Sequence, residues 1–259
     1  MVRAIDKYTG IVFDLDGVVY EGDQAIRGVP AALSTLSKCK EVVFATNNAT
    51  KTPQEIQNLL GSMGIAADPV RVVTSAVVAS QMLPSGNRCL IIGMNGLKTA
   101  LRDQGCVEVH DPQQAETVVV GWDRELVWDD LRRAALALQG GARFLATNGD
   151  VNYPTREGLW PGNGAILAAL SAATGRLPEI AGKPEAPMFE AAAALLPRGP
   201  LLMVGDSPET DLAGASSLGW DTALVLSGRA TASDVLELNP RPTFVVNSVV
   251  QLLELEGDY

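Results

Sequence analysis

Two carboxylates one residue apart, Asp14 and Asp16, follow the apolar run Ile11-Val12-Phe13 and are followed by Gly17. Like charges about 4 Å apart at an effective dielectric of 20 repel by about 4 kcal/mol, so a pair held close together calls for a counter-charge. A divalent cation answers that need. Two plainer readings compete. A lone Asp-x-Asp-Gly also makes a solvated turn. A calcium-binding EF-hand loop begun at Asp14 would place Val19 at its glycine position and Ala25 at its bidentate glutamate position, which excludes it.

The choice between turn and site rests on the rest of the chain. Ile and Val suit a buried strand and glycine permits a sharp exit, so Asp14 and Asp16 belong at a strand's C-terminal end, where open α/β sheets bind ligands. Beyond them the chain alternates strand and helix. A helix is expected from Gly28 to Lys38, a strand from Val42 to Thr46, and a helix opening on Thr52-Pro53-Gln54-Glu55 and closing at Gly64. A strand at Val70 to Val73 and a helix capped by Ser75 come next.

A second alternating set occupies the middle. Its strands are expected near Cys89 to Ile92, Cys106 to Val109, Thr117 to Val120 and Arg143 to Ala146, and its helices at Trp128 to Gln139 and Ala165 to Thr174. The last third resumes with a helix at Ala186 to Leu196, a strand at Leu201 to Val204, a helix at Asp211 to Leu218, strands at Thr222 to Leu226 and Thr243 to Val246, and a final helix. The expected architecture is therefore α/β, with one lobe inserted in another.

Composition excludes several functions. The 259 residues carry a formal charge of -10, which opposes binding to nucleic acid or to an anionic membrane. Any phosphate site must draw on a local metal, a lysine and backbone amides. No apolar run approaches the ~18 residues of a membrane span, and the N-terminus enters the first strand too soon for a signal peptide, so a cytoplasmic protein is expected. Cys39, Cys89 and Cys106 are widely spaced and lack a Cys-x-x-Cys, which suggests neither disulfides nor zinc, and buried apolar roles are expected for them. The single histidine, His110, would have to carry any histidine-dependent chemistry alone, and a surface position is expected for it.

Four strand or loop ends carry polar residues: Asp14-Leu15-Asp16-Gly17, Thr46-Asn47-Asn48, Gly182-Lys183-Pro184 and Gly205-Asp206-Ser207-Pro208-Glu209-Thr210-Asp211. Acids, a hydroxyl, an amide and a lysine at successive exits, in this order, resemble the four motifs of the haloacid dehalogenase superfamily. The wider agreement, including Ala146-Thr147-Asn148-x-Asp150 and Pro161-Gly162-x-Gly164-Ala165-Ile166, is similar to its 4-nitrophenylphosphatase branch (subfamily IIA), which includes NagD-type nucleotidases and phosphoglycolate phosphatases. That resemblance implies a Rossmann-like core with a parallel sheet, over residues 1–77 and 180–259, and a large inserted α/β cap of the C2 type over 78–179.

It also implies roles. Asp14 would be the nucleophile giving an aspartyl-phosphate, and Asp16 the general acid and then base. Mg2+ would be held by Asp14, the Asp16 carbonyl, Asp206 and Asp211. Thr46, Asn47, Asn48 and Lys183 would hold the phosphoryl group. In the cap, Asn148, Asp150 and Asn163 would line the entrance over the leaving group, and Trp160 would either join them or pack; Gly149 stands where many relatives have proline. The implied activity is hydrolysis of a small phosphorylated metabolite by a monomer or homodimer, with a phosphomutase or a non-catalytic metabolite-binding regulator as alternatives. A dehalogenase is disfavoured because displacing halide would leave Asp16 idle.

Overall fold

Ile11, Val12 and Phe13 join Gly10 in a strand, Gly10–Phe13, buried along its whole length. Continuous burial without alternation marks a strand covered on both faces, as parallel sheets require. The computed structural model describes residues 3–155, 157–231, 233, 235 and 238–256, so the ends of the expected 1–77 and 180–259 core ranges fall outside it. Two compact units emerge: one takes the chain up to Thr46, then Pro53–Val73 and everything from Lys183 onward; the other takes Asn47–Thr52 and Thr74–Gly182.

The first unit is built on a six-stranded sheet in the order Phe244–Val246, Asp221–Val225, Leu201–Gly205, Gly10–Phe13, Glu41–Thr46, Val72–Thr74. Gly10–Phe13 pairs in parallel with Leu201–Gly205 on one side and Glu41–Thr46 on the other. From Gly10–Phe13 the chain builds outward in one direction, and from Leu201–Gly205 in the other. The sheet therefore has a switch point between those two central strands, and side chains just past their C-terminal ends face a common crevice. Ile11, Phe13, Phe44, Leu202 and Val204 belong to the main core, under the helices Val29–Leu36 and Pro53–Ser62.

The second unit carries a five-stranded sheet in the order Glu179–Ile180, Arg143–Ala146, Thr117–Val120, Arg88–Ile92, Val107–Glu108, with parallel pairing throughout. Its helix Trp128–Gln139 runs as the apolar periodicity predicts, turning Ala134 and Leu138 into the core and placing Asp129 and Asp130 in the first turn. The helix Asn163–Thr174 ends at Gly175, whose φ of 69° is the left-handed closure glycine permits.

Several local expectations are corrected. Thr74, not Ser75, caps the helix Ser75–Gln81, accepting from the Val77 N–H at 3.2 Å; both are good cap residues, and the extended strand ends one residue later than expected. The strand near Val70 begins at Val72, because Asp68 and Pro69 make a 3-10 turn over Pro69–Arg71. The helix from Ala186 ends at Ala193, short of Leu196. The helix expected from Asp211 is a π-type turn, Pro208–Leu212, running into the short helix Ala213–Ser217. An antiparallel hairpin, Asn152–Thr155 with Gly158–Pro161, was not anticipated; in it Trp160 pairs with Tyr153, whose ring stacks on Trp122 at 4.4 Å. Cys39 is exposed rather than buried, while Cys89 is buried and Cys106 lies between; all three are free. His110 is exposed, as expected. Among the described residues no helix is long and apolar enough to cross a membrane.

Candidate active site

The switch point is where the acidic residues collect. Asp14 directly follows Gly10–Phe13, and its N–H bonds to the Val204 carbonyl at 2.9 Å, extending the ladder by one residue. The chain then turns sharply over Leu15–Tyr20, with Gly17 at φ 77° in the left-handed region. Asp16 emerges from this turn exposed, its Oδ2 3.5 Å from the Tyr20 hydroxyl. Thr46 ends the neighbouring strand and is 2% exposed. Asp206 and Asp211 lie just beyond the other central strand and are buried.

Lys183 ties the acids together. Its Nζ lies 2.6 Å from Asp14 Oδ1, 2.6 Å from Asp211 Oδ1 and 3.1 Å from the Ala45 carbonyl, and the side chain is 3% exposed. Burial alone would push the lysine down, but the charges of Asp14 and Asp211 outweigh it and hold the ammonium protonated. The acids do not gain enough in return. Burial lifts Asp14 well above the ordinary carboxylate range; Lys183 opposes this, and Asp211 and Asp206 add to it. Asp206 is pushed up to about 6, by burial first and then by Asp211, against the pull of the Arg229 N–H bonded to its Oδ2 at 2.7 Å.

One carboxylate oxygen from each of Asp14, Asp206 and Asp211 lies within 4.8 Å of the others, and all three residues are buried. Three buried acids against one buried ammonium leave an excess of negative charge in a low-dielectric pocket, and the donor set is oxygen only. Those residues fit a hard divalent cation. Asp16 contributes no carboxylate to the cluster.

Sequence reading missed the groups that hold the acids in place. The segment Ser227-Gly228-Arg229, just past the strand Asp221–Val225, supplies the N–H to Asp206, and the Ser227 hydroxyl donates to the Gly17 carbonyl at 2.8 Å. A Cβ on Gly228 or Gly17 would collide with Asp206, and one on Gly205 with Asp211. Ser207 N–H donates to Asp211 Oδ2 at 3.2 Å. A Ser-Gly pair at the exit of a core strand was the available signal.

The remaining expected residues sit in the second unit. Asn47 Nδ2 donates to Asp150 Oδ2 at 3.2 Å, and the Asn47 carbonyl accepts from Asn148 Nδ2 at 2.8 Å and from the Ser75 hydroxyl at 2.7 Å. Asn48 Oδ1 accepts from the N–H and hydroxyl of Thr50, closing an Asx turn. Asn163, expected at the entrance, is 1% exposed, and its Nδ2 donates to the Asn148 carbonyl at 2.7 Å.

Residues 11–107 match the family model for haloacid dehalogenase-like hydrolases, and residues 180–252 match a HAD-hydrolase-like model. The chain is 36% identical to an acid sugar phosphatase of Staphylococcus haemolyticus, over 96% of this chain and 97% of that one. Among solved structures it is similar to the glycerol phosphate phosphatase of Mycobacterium tuberculosis in complex with magnesium, with a TM-score of 0.91 and 34% identity over 98% of this chain and 79% of that one. It is also similar to the 4-nitrophenylphosphatase of Thermotoga maritima, with a TM-score of 0.90 and 31% identity over 98% and 100% of the two chains. With an acidic cluster and lysine at the switch point of a doubly wound sheet, and a 36% identical relative matched over 97% of its length, the chain belongs to the haloacid dehalogenase-like hydrolases.

Proposed function

We propose that the chain is a Mg2+-dependent phosphomonoesterase acting on a small phosphorylated metabolite, of which a sugar or polyol phosphate is the favoured class. The observation carrying this reading is Lys183 Nζ at 2.6 Å from both Asp14 and Asp211, with Asp206 completing the acidic cluster. Asp14 is then the nucleophile. The buried ammonium orients Asp14 and favours its ionised form against the burial that raises it, and covalent catalysis divides one hard hydrolysis into two easier steps.

In the first step an Asp14 oxygen bonds to phosphorus as the ester P–O bond breaks, and protonated Asp16 gives its proton to the departing alkoxide. In the second, Asp16 carboxylate takes a proton from water while the water oxygen bonds to phosphorus and Asp14 is released. The proton count closes, and the exposure of Asp16 suits a group that must meet both leaving group and solvent. Thr46, the N–H groups of Asn47 and Asn48, and Lys183 hold the phosphoryl oxygens and stabilise charge that develops there. Asp14, Asp206, Asp211 and the Asp16 carbonyl would hold Mg2+, which when bound neutralises charge between the dianionic ester and the carboxylates.

Residues 74–182 form the cap, and substrate choice resides there. Three free thiols suit a reducing compartment, so the proposed setting is the cytoplasm, with the enzyme acting as a monomer or homodimer. A phosphate-release screen across sugar, polyol, nucleoside and carboxylic acid monophosphates, with and without EDTA, tests the reading. Release confined to Mg2+-containing reactions supports it, and no release from any substrate overturns it.

A further inference from the structure

We infer that Asn148 and Asp150 are positioning residues for the phosphoryl-binding backbone, acting through Asn47, with Asn163 holding Asn148 in register. The inference rests on the proposed role of the Asn47 and Asn48 N–H groups and gives a purpose to amides that the sequence alone assigned to the leaving group.

Thr46 is the last residue of its strand, so the sheet's hydrogen-bonding ladder does not hold the chain beyond it. From Asn47 onward the backbone is gripped from several sides instead. The Asn47 carbonyl takes two donors, Asn148 Nδ2 at 2.8 Å and Ser75 Oγ at 2.7 Å, and the Asn47 side chain donates to Asp150 Oδ2 at 3.2 Å. The other face of the Asn47 amide packs on Gly182, where a Cβ would collide with its Oδ1. Further along, the Thr50 carbonyl accepts from Gly96 N–H at 3.0 Å, and a Cβ on Gly96 would press on the Ala49 and Lys51 backbone at 2.6 Å.

The geometry of a peptide turns this grip into aim. The peptide group is planar and trans, so fixing the Asn47 carbonyl fixes the plane of the Asn47–Asn48 peptide and points the Asn48 N–H opposite to Asn148 and Ser75. Fixing the Asn47 side chain sets its Cα, and with it the peptide shared with Thr46. Donors that stabilise charge on a transferring phosphoryl group act by being oriented beforehand.

The clamp is itself braced. Asn148 is 6% exposed; its Oδ1 accepts from the Asp150 N–H at 3.2 Å, and its carbonyl accepts from Asn163 Nδ2 at 2.7 Å. Asn163 is held by its nitrogen alone, since its buried Oδ1 has no hydrogen-bond partner among the described residues.

The test separates aim from leaving-group recognition. Kinetics of Asn148→Ala, Asp150→Ala and Asp150→Asn are measured on an aryl phosphate and on several alkyl phosphates, together with inhibition by inorganic phosphate, which has no leaving group. The clamp predicts that Asn148→Ala and Asp150→Ala lose about tenfold or more in kcat/KM on every substrate alike, with a parallel weakening of phosphate inhibition and no change in substrate ranking. Asp150→Asn, which keeps an acceptor for Asn47, returns to within about threefold of wild type. Reordered substrates with phosphate inhibition intact would overturn the inference, as would variants indistinguishable from wild type. Should Asn148→Ala fail to fold, Ser75→Ala removes the other donor to the same carbonyl and carries the same expectation. Wild type, run alongside on the aryl phosphate, distinguishes this failure from that of the hydrolase reading, which inactivity there would sink.

Discussion

Lys183 and Asp14 form a buried ion pair, Nζ to Oδ1 at 2.6 Å, between residues 169 positions apart in the chain. The same ammonium reaches Asp211, so it bridges the acids beyond the two central strands of the sheet. It also sets the charge state of the nucleophile: burial and two neighbouring acids raise Asp14, and only the ammonium favours its ionised form.

Removing that ammonium is therefore expected to damage more than binding. Lys183→Met leaves Asp14 and Asp211 without their cation in a buried site, and breaking a buried pair from one side costs about 3–5 kcal/mol. Denaturant unfolding at pH 7.5 without metal should show a loss of that order, shrinking at lower pH as Asp14, raised by burial, protonates. A variant as stable as wild type would show that the pair carries no such burden.

Metal affinity should depend on pH with a definite sign. Asp206 is pushed up to about 6 and Asp14 is also raised, so in the metal-free protein both favour the folded state when protonated. For Asp206 that contribution is present below about pH 3.8 and is lost as pH rises through about 6. A cation binds the ionised forms and must displace protons at lower pH. The thermal shift given by a fixed Mg2+ concentration should grow from pH 5 to 7 and then level off; a shift that is flat over this range would contradict the charge assignment.

The loop holding Asp206 gives a third prediction. A Cβ at Gly228 collides with the Asp206 side chain, whereas one at Gly149 meets nothing within 4 Å. Gly228→Ala should weaken Mg2+ binding by about 10–100-fold, as disturbing a ligand's supporting contacts does, while Gly149→Ala stays near wild type. Titration of activity against Mg2+ concentration measures both.

The acid role of Asp16 predicts dependence on the leaving group. Nitrophenolate departs without help, but an alkoxide needs a proton, so Asp16→Asn should slow alkyl phosphates far more than 4-nitrophenyl phosphate. Equal losses on both would remove Asp16 from that role.

Much of this site was legible in the sequence because parallel strands buried on both faces read as apolar runs, and their ends stand out where Asp14, Thr46 and Asp206 break the run. Lys183 was legible only through the company it keeps, since a lysine before a proline is ordinary alone. Contacts made by main-chain atoms left little trace: the Arg229 N–H on Asp206 needs no particular side chain at position 229. Asn148 and Asn163 show a different difficulty. Amides near a glycine-rich segment suit a ligand contact or an internal brace equally, and only burial separates the two. The hairpin Asn152–Pro161 was hidden by two prolines and an arginine in a short run.

The central claim is that Asp14 becomes covalently phosphorylated. Acid-quenching the enzyme within its first turnover of 4-nitrophenyl phosphate, with peptide mass spectrometry of the quenched protein, tests it most directly. The account predicts phosphate on the peptide containing Asp14, enriched in Asp16→Asn, where the water-activating base is lost, and absent from Asp14→Asn. Hydrolysis that proceeds with no phosphorylated enzyme at any time, or with the phosphate on another residue, would contradict it.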